Sequence, residues 1–145
     1  MEKVLIISGS KSDEETAKQV IDVLNAFGVL HRYEVASANR NPDKVDKLVK
    51  ESTAQVFVAI AGLSAALPGV VASKTTKPVI GVPINAALNG LDALLSIAQM
   101  PPNVPVATVG IGMGKNAGLL AVQILALNDS TLATKLIEFK EKLKQ

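Results

Sequence analysis

Strand-length apolar runs alternate with helix-spaced apolar positions along the whole of this 145-residue sequence, and few folds accept that order. Val4 to Ile7 is a continuous apolar run closed by Ser8-Gly9-Ser10, the pattern of a strand buried on both faces. Ala17, Val20, Ile21, Leu24 and Phe27 then recur at helical spacing, with Asp13 placed to cap the helix and Gly28 to end it. Leu30 to Val35 reads as a second strand. Pro42 suits the first turn of a short helix reaching Glu51, with Val45, Leu48 and Val49 on its inner face. Strands are predicted over Val56 to Ile60, Val79 to Val82 and Val106 to Val109, and helices over Leu67 to Ser73, Leu91 to Ala98 and Asn116 to Leu127. A last helix, Thr131 to Lys144, carries Leu132, Leu136, Phe139 and Leu143 along one stripe, and is expected at the periphery or on a neighbouring subunit. Alternation of this kind means βαβ units, hence an α/β domain with a parallel sheet of about five strands. No linker, charge block or internal repeat divides residues 1–145, so one domain is expected.

Composition adds one constraint. The chain is 48% apolar and 19% charged, with a mean hydropathy of +0.32, against a usual charged share of ~25%. Disorder is excluded, and two destinations remain for the apolar surface: a membrane or sister subunits. The uncharged runs from Ser52 to Ser73 and from Ala93 to Gly114 are long enough to reach across a bilayer. Gly62, Pro68 and Gly69 interrupt the first, and Pro101, Pro102 and Pro105 the second, which would strand backbone groups in lipid. The start of the chain lacks the long apolar core and cleavage site of a secretory signal, so a cytoplasmic address is expected. With no cysteine there is no disulfide, thiolate nucleophile or cysteine-held metal. The one histidine, His31, lies at the start of a strand and reads as a surface or satisfied residue. A net charge of +2 with scattered lysines and no interleaved aromatics leaves no footprint for nucleic acid.

In an open parallel sheet the binding crevice lies beyond the carboxyl ends of the strands, where the strand order reverses. The loops after the first three strands are therefore the ones to read. Ser8-Gly9-Ser10-Lys11-Ser12-Asp13 offers small residues and hydroxyls at a helix start, a place for an anion; it also reads as a plain capping turn. Asp13 disfavours a bare phosphate and favours ribose hydroxyls, so a nucleotide fits this loop better than an inorganic anion. Ser37-Ala38-Asn39-Arg40-Asn41-Pro42 places a guanidinium ahead of the next helix, where it either grips phosphate or lies on the surface. Ala61 to Gly69 is almost entirely small and apolar, and either lets backbone approach a planar ligand or packs. Gly110-Ile111-Gly112-Met113-Gly114-Lys115 fails the phosphate motifs, because Asn116 stands where Ser or Thr is required and the glycine spacing is wrong.

These loops, together with Pro78-Val79-Ile80-Gly81-Val82-Pro83, the segment from Gly90-Leu91-Asp92 through Gln99-Met100-Pro101, and Asn116-Ala117, occur in an order that resembles the N5-carboxyaminoimidazole ribonucleotide mutase family of purine biosynthesis. That family is also called the catalytic subunit of phosphoribosylaminoimidazole carboxylase, and the likeness covers essentially the whole chain. The resemblance implies a flavodoxin-like three-layer αβα sandwich assembled into a homo-octamer, with active sites at subunit junctions. It implies that Ser10, Ser12, Asp13 and Arg40, beside Gly9, hold the ribose phosphate, with Ser37, Ala38, Ala61, Gly62 and Leu67 around the imidazole and carboxylate. The partner would be an aminoimidazole ribonucleotide, with no metal or organic cofactor, no nucleic acid and no membrane. The family reaction moves a carboxyl group from the exocyclic nitrogen to a ring carbon by releasing and recapturing CO2, and a histidine takes the proton from that carbon.

The chain departs from this pattern at the chemistry. Asn39 stands where the family's catalytic histidine belongs, Asn41 where a threonine belongs, and Ala66 where a second histidine precedes Leu-Pro-Gly. An amide does not titrate near neutrality as imidazole does. A family member with impaired carboxyl transfer is therefore expected. The alternative is an inactive or engineered oligomeric scaffold, or a nucleotide-binding module without turnover.

Overall fold

The computed structural model describes every residue from Met1 to Gln145. Five parallel strands, β1 (Val4–Ser8), β2 (His31–Val35), β3 (Val56–Ala61), β4 (Val79–Pro83) and β5 (Ala107–Thr108), form one sheet in the order β2-β1-β3-β4-β5. Six helices separate and follow them: α1 (Glu14–Ala26), α2 (Pro42–Glu51), α3 (Leu67–Ala72), α4 (Leu91–Ala98), α5 (Gly114–Ala126) and α6 (Ser130–Lys142). This is the flavodoxin-like order, with helices on both faces. None of the helices is long and apolar enough to cross a membrane.

The continuous apolar runs follow from that layering. Every residue of β1, β3 and β4 is buried, and alternate side chains feed different cores. Val4, Ile6, Val58 and Ile60 pack with α1 and α5; Leu5, Ile7, Phe57 and Ala59 pack with α2, α3 and α4. Each buried Val, Leu or Ile contributes about 1.5–3 kcal/mol relative to exposure, so a one-residue slip would be costly on both faces. The register is accordingly definite: Ile6 lies opposite Tyr33 on one side and Val58 on the other.

α1 closes with Gly28 at φ +70°, where the Gly28 N–H donates to the Asn25 carbonyl and the Val29 N–H to Leu24. That is a Schellman end, and it turns the chain into β2. Gly114, the last glycine of the repeat, serves packing, as does Gly118 within α5. A Cβ on Gly114 would collide with the Thr16 carbonyl of α1, and one on Gly118 would sit 2.9 Å from the Val23 Cβ. These two glycines let α5 lie close against α1.

Several sequence expectations change. Asp13 makes no side-chain bond at the start of α1; a 3-10 turn over Lys11–Asp13 intervenes, and Ser10 caps it by accepting from the Ser12 N–H. β5 shrinks from four expected residues to Ala107–Thr108, because it is an edge strand entered from Pro105, which has no N–H to give. α5 begins at Gly114, two residues earlier than expected. α6 packs on its own chain, with Leu132 buried and Phe139 edge-on to Phe27 at 5.7 Å. Leu143 leaves the expected stripe: the helix stops at Lys142 and that side chain is exposed.

Candidate functional site

The chain runs from β1 to β2 on one side of the sheet and returns to β3 on the other, so the loops after β1 and β3 diverge and leave a crevice between them. A cavity of about 420 Å³ opens there, within the ~300–1,000 Å³ of ordinary ligand sites. Gly9, Ser10, Ser12 and Asp13 line it from the first loop, and Ser37, Ala38, Asn39 and Arg40 from the second. Ala61, Gly62 and Leu67 line it from the third. All eleven residues singled out in the sequence thus face one space. Leu63 and Ser64 of the third loop also line it, as does Ala86, which follows β4. Ala86 falls outside the three loops that the sequence singles out, because its place at the cavity depends on β4 lying beside β3.

The loops are tied to one another. Arg40 donates from Nη2 to the Gly9 carbonyl at 2.8 Å, bridging the first two loops, and the rest of its guanidinium has no protein partner. The second loop is folded by Ser37, whose Oγ accepts from the Arg40 N–H at 3.1 Å. Asn41 caps α2 by accepting from the Lys44 N–H at 3.2 Å, ahead of Pro42 in its first turn. Threonine caps helices in the same way, so the departure at Asn41 leaves local structure intact. Gly62 permits the third loop to approach the fourth: a Cβ there would lie 3.1 Å from that of Ala86.

In the first loop Ser10 Oγ accepts from both the Ser12 N–H (3.2 Å) and the Ser12 hydroxyl (2.9 Å). The proton of Ser10 remains free to be donated to a ligand. Asp13 is one of only two buried polar or charged residues of the chain. Burial pushes its carboxyl up from the usual carboxylate range, opposed in part by the Ser10 backbone. Gly9 is the opposite of Gly62: a Cβ there meets nothing nearer than the Ile60 carbonyl at 3.8 Å. The protein itself does not require a glycine at that position, and a ligand that comes against the backbone would.

Proton chemistry is thin. Asn39 is exposed at the cavity, Ala66 lies at the start of α3 outside the lining, and Asp13 is the one lining group that titrates below the range of arginine. His31 is half-buried at the first residue of β2, its Nδ1 2.9 Å from the Val29 carbonyl, at the opposite end of the strand from the cavity.

A family model described as AIR carboxylase matches residues 3–145. The chain belongs to the AIR carboxylase family. Within it, the chain is 58% identical over 142 residues to the N5-carboxyaminoimidazole ribonucleotide mutase of Methanocaldococcus jannaschii, covering 98% of this chain and 90% of that one. It is 51% identical over 146 residues to the mutase of the same name from Bacillus subtilis, covering 97% and 90%. The crystal structure of Treponema denticola PurE superposes with a TM-score of 0.84 at 29% identity, over 98% of this chain and 91% of that one. The parallel sheet and its two helical layers are therefore those of the AIR carboxylase family.

Proposed function

We propose that this chain binds an aminoimidazole ribonucleotide at the switch-point cavity and transfers its carboxyl group slowly, because Asn39 occupies the position of the proton shuttle. The observation that carries the reading is the convergence of the Ser10-Ser12-Asp13 turn, the Arg40 guanidinium and the small residues of the third loop on one cavity. Ser10 and Arg40 each keep donors for a phosphate, and Asp13 supplies an acceptor for ribose hydroxyls. Ala61, Gly62 and Leu67 leave a flat apolar wall for the imidazole.

In the proposed reaction the bond between the exocyclic nitrogen and the carboxyl carbon breaks, CO2 is held, and a carbon–carbon bond forms at the ring. The ring carbon must then lose its proton, and the nitrogen must gain one. Asn39 does neither, since its amide has no pKa in the working range. Loss of general acid/base catalysis costs about 10²–10⁴-fold. Binding needs no proton transfer and is retained.

The test is a carboxyl-transfer assay on the wild-type chain beside Asn39→His and the double variant Asn39→His/Ala66→His. The expected outcome is a gain of about 10²-fold or more in kcat for the histidine variants. No turnover in any of the three overturns the enzymatic reading. Calorimetric titration with the carboxylated ribonucleotide should give heat that Arg40→Ala abolishes; silence from the wild-type chain overturns the binding reading.

The same proposal includes a homo-octamer. Leu88, Leu91 and Leu95 are 75%, 54% and 48% exposed, and Leu91 and Leu95, one turn apart on α4, share a face. A second copy covering them accounts for apolar surface that a single chain leaves in water.

A further inference from the structure

Ser8 is a hydroxyl where the fold needs none. It ends β1, is wholly buried, and sits in a strand otherwise made of Val, Leu and Ile. A buried hydroxyl is costly unless bonded, and this one has two partners: the Ser10 carbonyl at 3.1 Å and the Tyr33 hydroxyl at 2.7 Å. The carbonyl only accepts, so the Ser8 proton goes to Ser10. Tyr33 must then donate to Ser8 Oγ, and the direction of the chain Tyr33 to Ser8 to Ser10 follows. Register explains the reach. Tyr33 lies opposite Ile6, two residues before Ser8 on the same face of β1, the diagonal spacing that an aromatic side chain spans.

The bond ends where the first loop begins to face the cavity. The Ser10 carbonyl it holds also accepts from the Asp13 N–H at 3.2 Å, and the Ser10 hydroxyl organises Ser12. Gly9 is fixed separately, its N–H donating to Ile60 and its carbonyl accepting from Arg40. Without Ser8 the Ser10 peptide would lose its tie to the sheet.

We propose that Tyr33 is a positioning residue: through Ser8 it sets the orientation of the Ser10 peptide, and with it the donors that Ser10 and Ser12 present to an anionic ligand. The effect on ligand affinity rests on the function proposed above; the effect on the loop does not, and the two are measured separately. In the ligand-free protein, amide hydrogen exchange is followed at Ser12 and Asp13, with Val58 in the centre of the sheet as reference, for wild type, Tyr33→Phe, Ser8→Ala and the double variant. The expected result is exchange at Ser12 and Asp13 about tenfold faster in each single variant, the double no faster than either, and Val58 unchanged. Unchanged exchange at Ser12 and Asp13, additive effects in the double variant, or equal acceleration at Val58 would each overturn the proposal, the last because the pair would then only stabilise the fold.

In parallel, calorimetry with the aminoimidazole ribonucleotide should show binding weakened about tenfold by Tyr33→Phe, again without further loss in the double variant. Tyr33 is the only tyrosine and there is no tryptophan, so wild-type ultraviolet emission comes from this ring, and ligand should change its intensity. If wild type binds the nucleotide and Tyr33→Phe binds it equally well, the positioning role in recognition is overturned. If wild type binds none while the exchange result holds, the proposed function fails and the loop assignment stands.

Discussion

Single residues at the cavity carry more consequence than their neighbours, and Asp13 is the clearest. Its carboxyl is raised by burial, so the folded state holds its proton more tightly than the unfolded chain does. The stability tied to that proton is fully present below the ordinary value of 3.8 and is lost as pH rises through the higher folded-state value. Once ionised, the buried carboxylate therefore opposes folding of the ligand-free protein. Asp13→Asn should raise the melting temperature at pH 7, with the gain vanishing on acidification, as followed by thermal unfolding across pH. The same variant separates ligands: inorganic phosphate should bind more tightly once the like charge is gone, and the ribonucleotide more weakly for want of a charged acceptor. Gly9 gives a second residue-scale prediction. Because its absent Cβ has room in the protein, Gly9→Ala should change unfolding free energy by less than about 0.5 kcal/mol, while nucleotide binding by calorimetry falls at least tenfold. Equal affinity would remove the argument that the glycine is there for a ligand.

At the scale of elements, what was legible in the sequence depended on how local the cause was. β1, β3 and β4 were readable because each is buried on both faces and must be apolar throughout. The start of α2 was readable from Pro42, and Asn41 completes it as the cap. Asp13 misled because acid before a helical pattern is an ordinary cap signal, whereas a 3-10 turn puts Ser10 in that role. β5 was over-read: four residues look alike in sequence, and only the edge position limits pairing to Ala107–Thr108. The glycines from 110 to 114 fail as a phosphate motif, and the packing role of Gly114 and of Gly118 depends on α1 lying against α5. Gly114→Ala should destabilise by about 1–3 kcal/mol in urea unfolding, since its Cβ meets the backbone carbonyl of Thr16 rather than a movable side chain. Alanine's advantage in a helix, at most about 1 kcal/mol, does not offset that clash.

For the whole molecule, the low charge content and the exposed leucines concern the same surface. The uncharged stretch from Ala93 to Met113 holds Leu95, Ile111 and Met113, which are 48%, 36% and 40% exposed. Gly90 adjoins Ile111, bringing α4 and the segment before α5 together. In the proposed octamer this region is shared between copies, so Leu95→Glu should shift sedimentation toward smaller species; an unchanged coefficient would place the interface elsewhere. The sequence by itself determined the alternation of elements, the parallel sheet, the family and the loops that meet beyond the strands, because these follow from residue periodicity and from short motifs whose effects are local. Only the tertiary structure decided that Ser10 rather than Asp13 is the cap, that Ala86 joins the cavity, that two glycines serve helix packing, and that Tyr33 reaches Ser8. The last three depend on sheet order, strand register or helix contact between residues far apart in the chain, and the cap depends on a 3-10 turn; none of these is written in the local pattern of apolar and polar side chains.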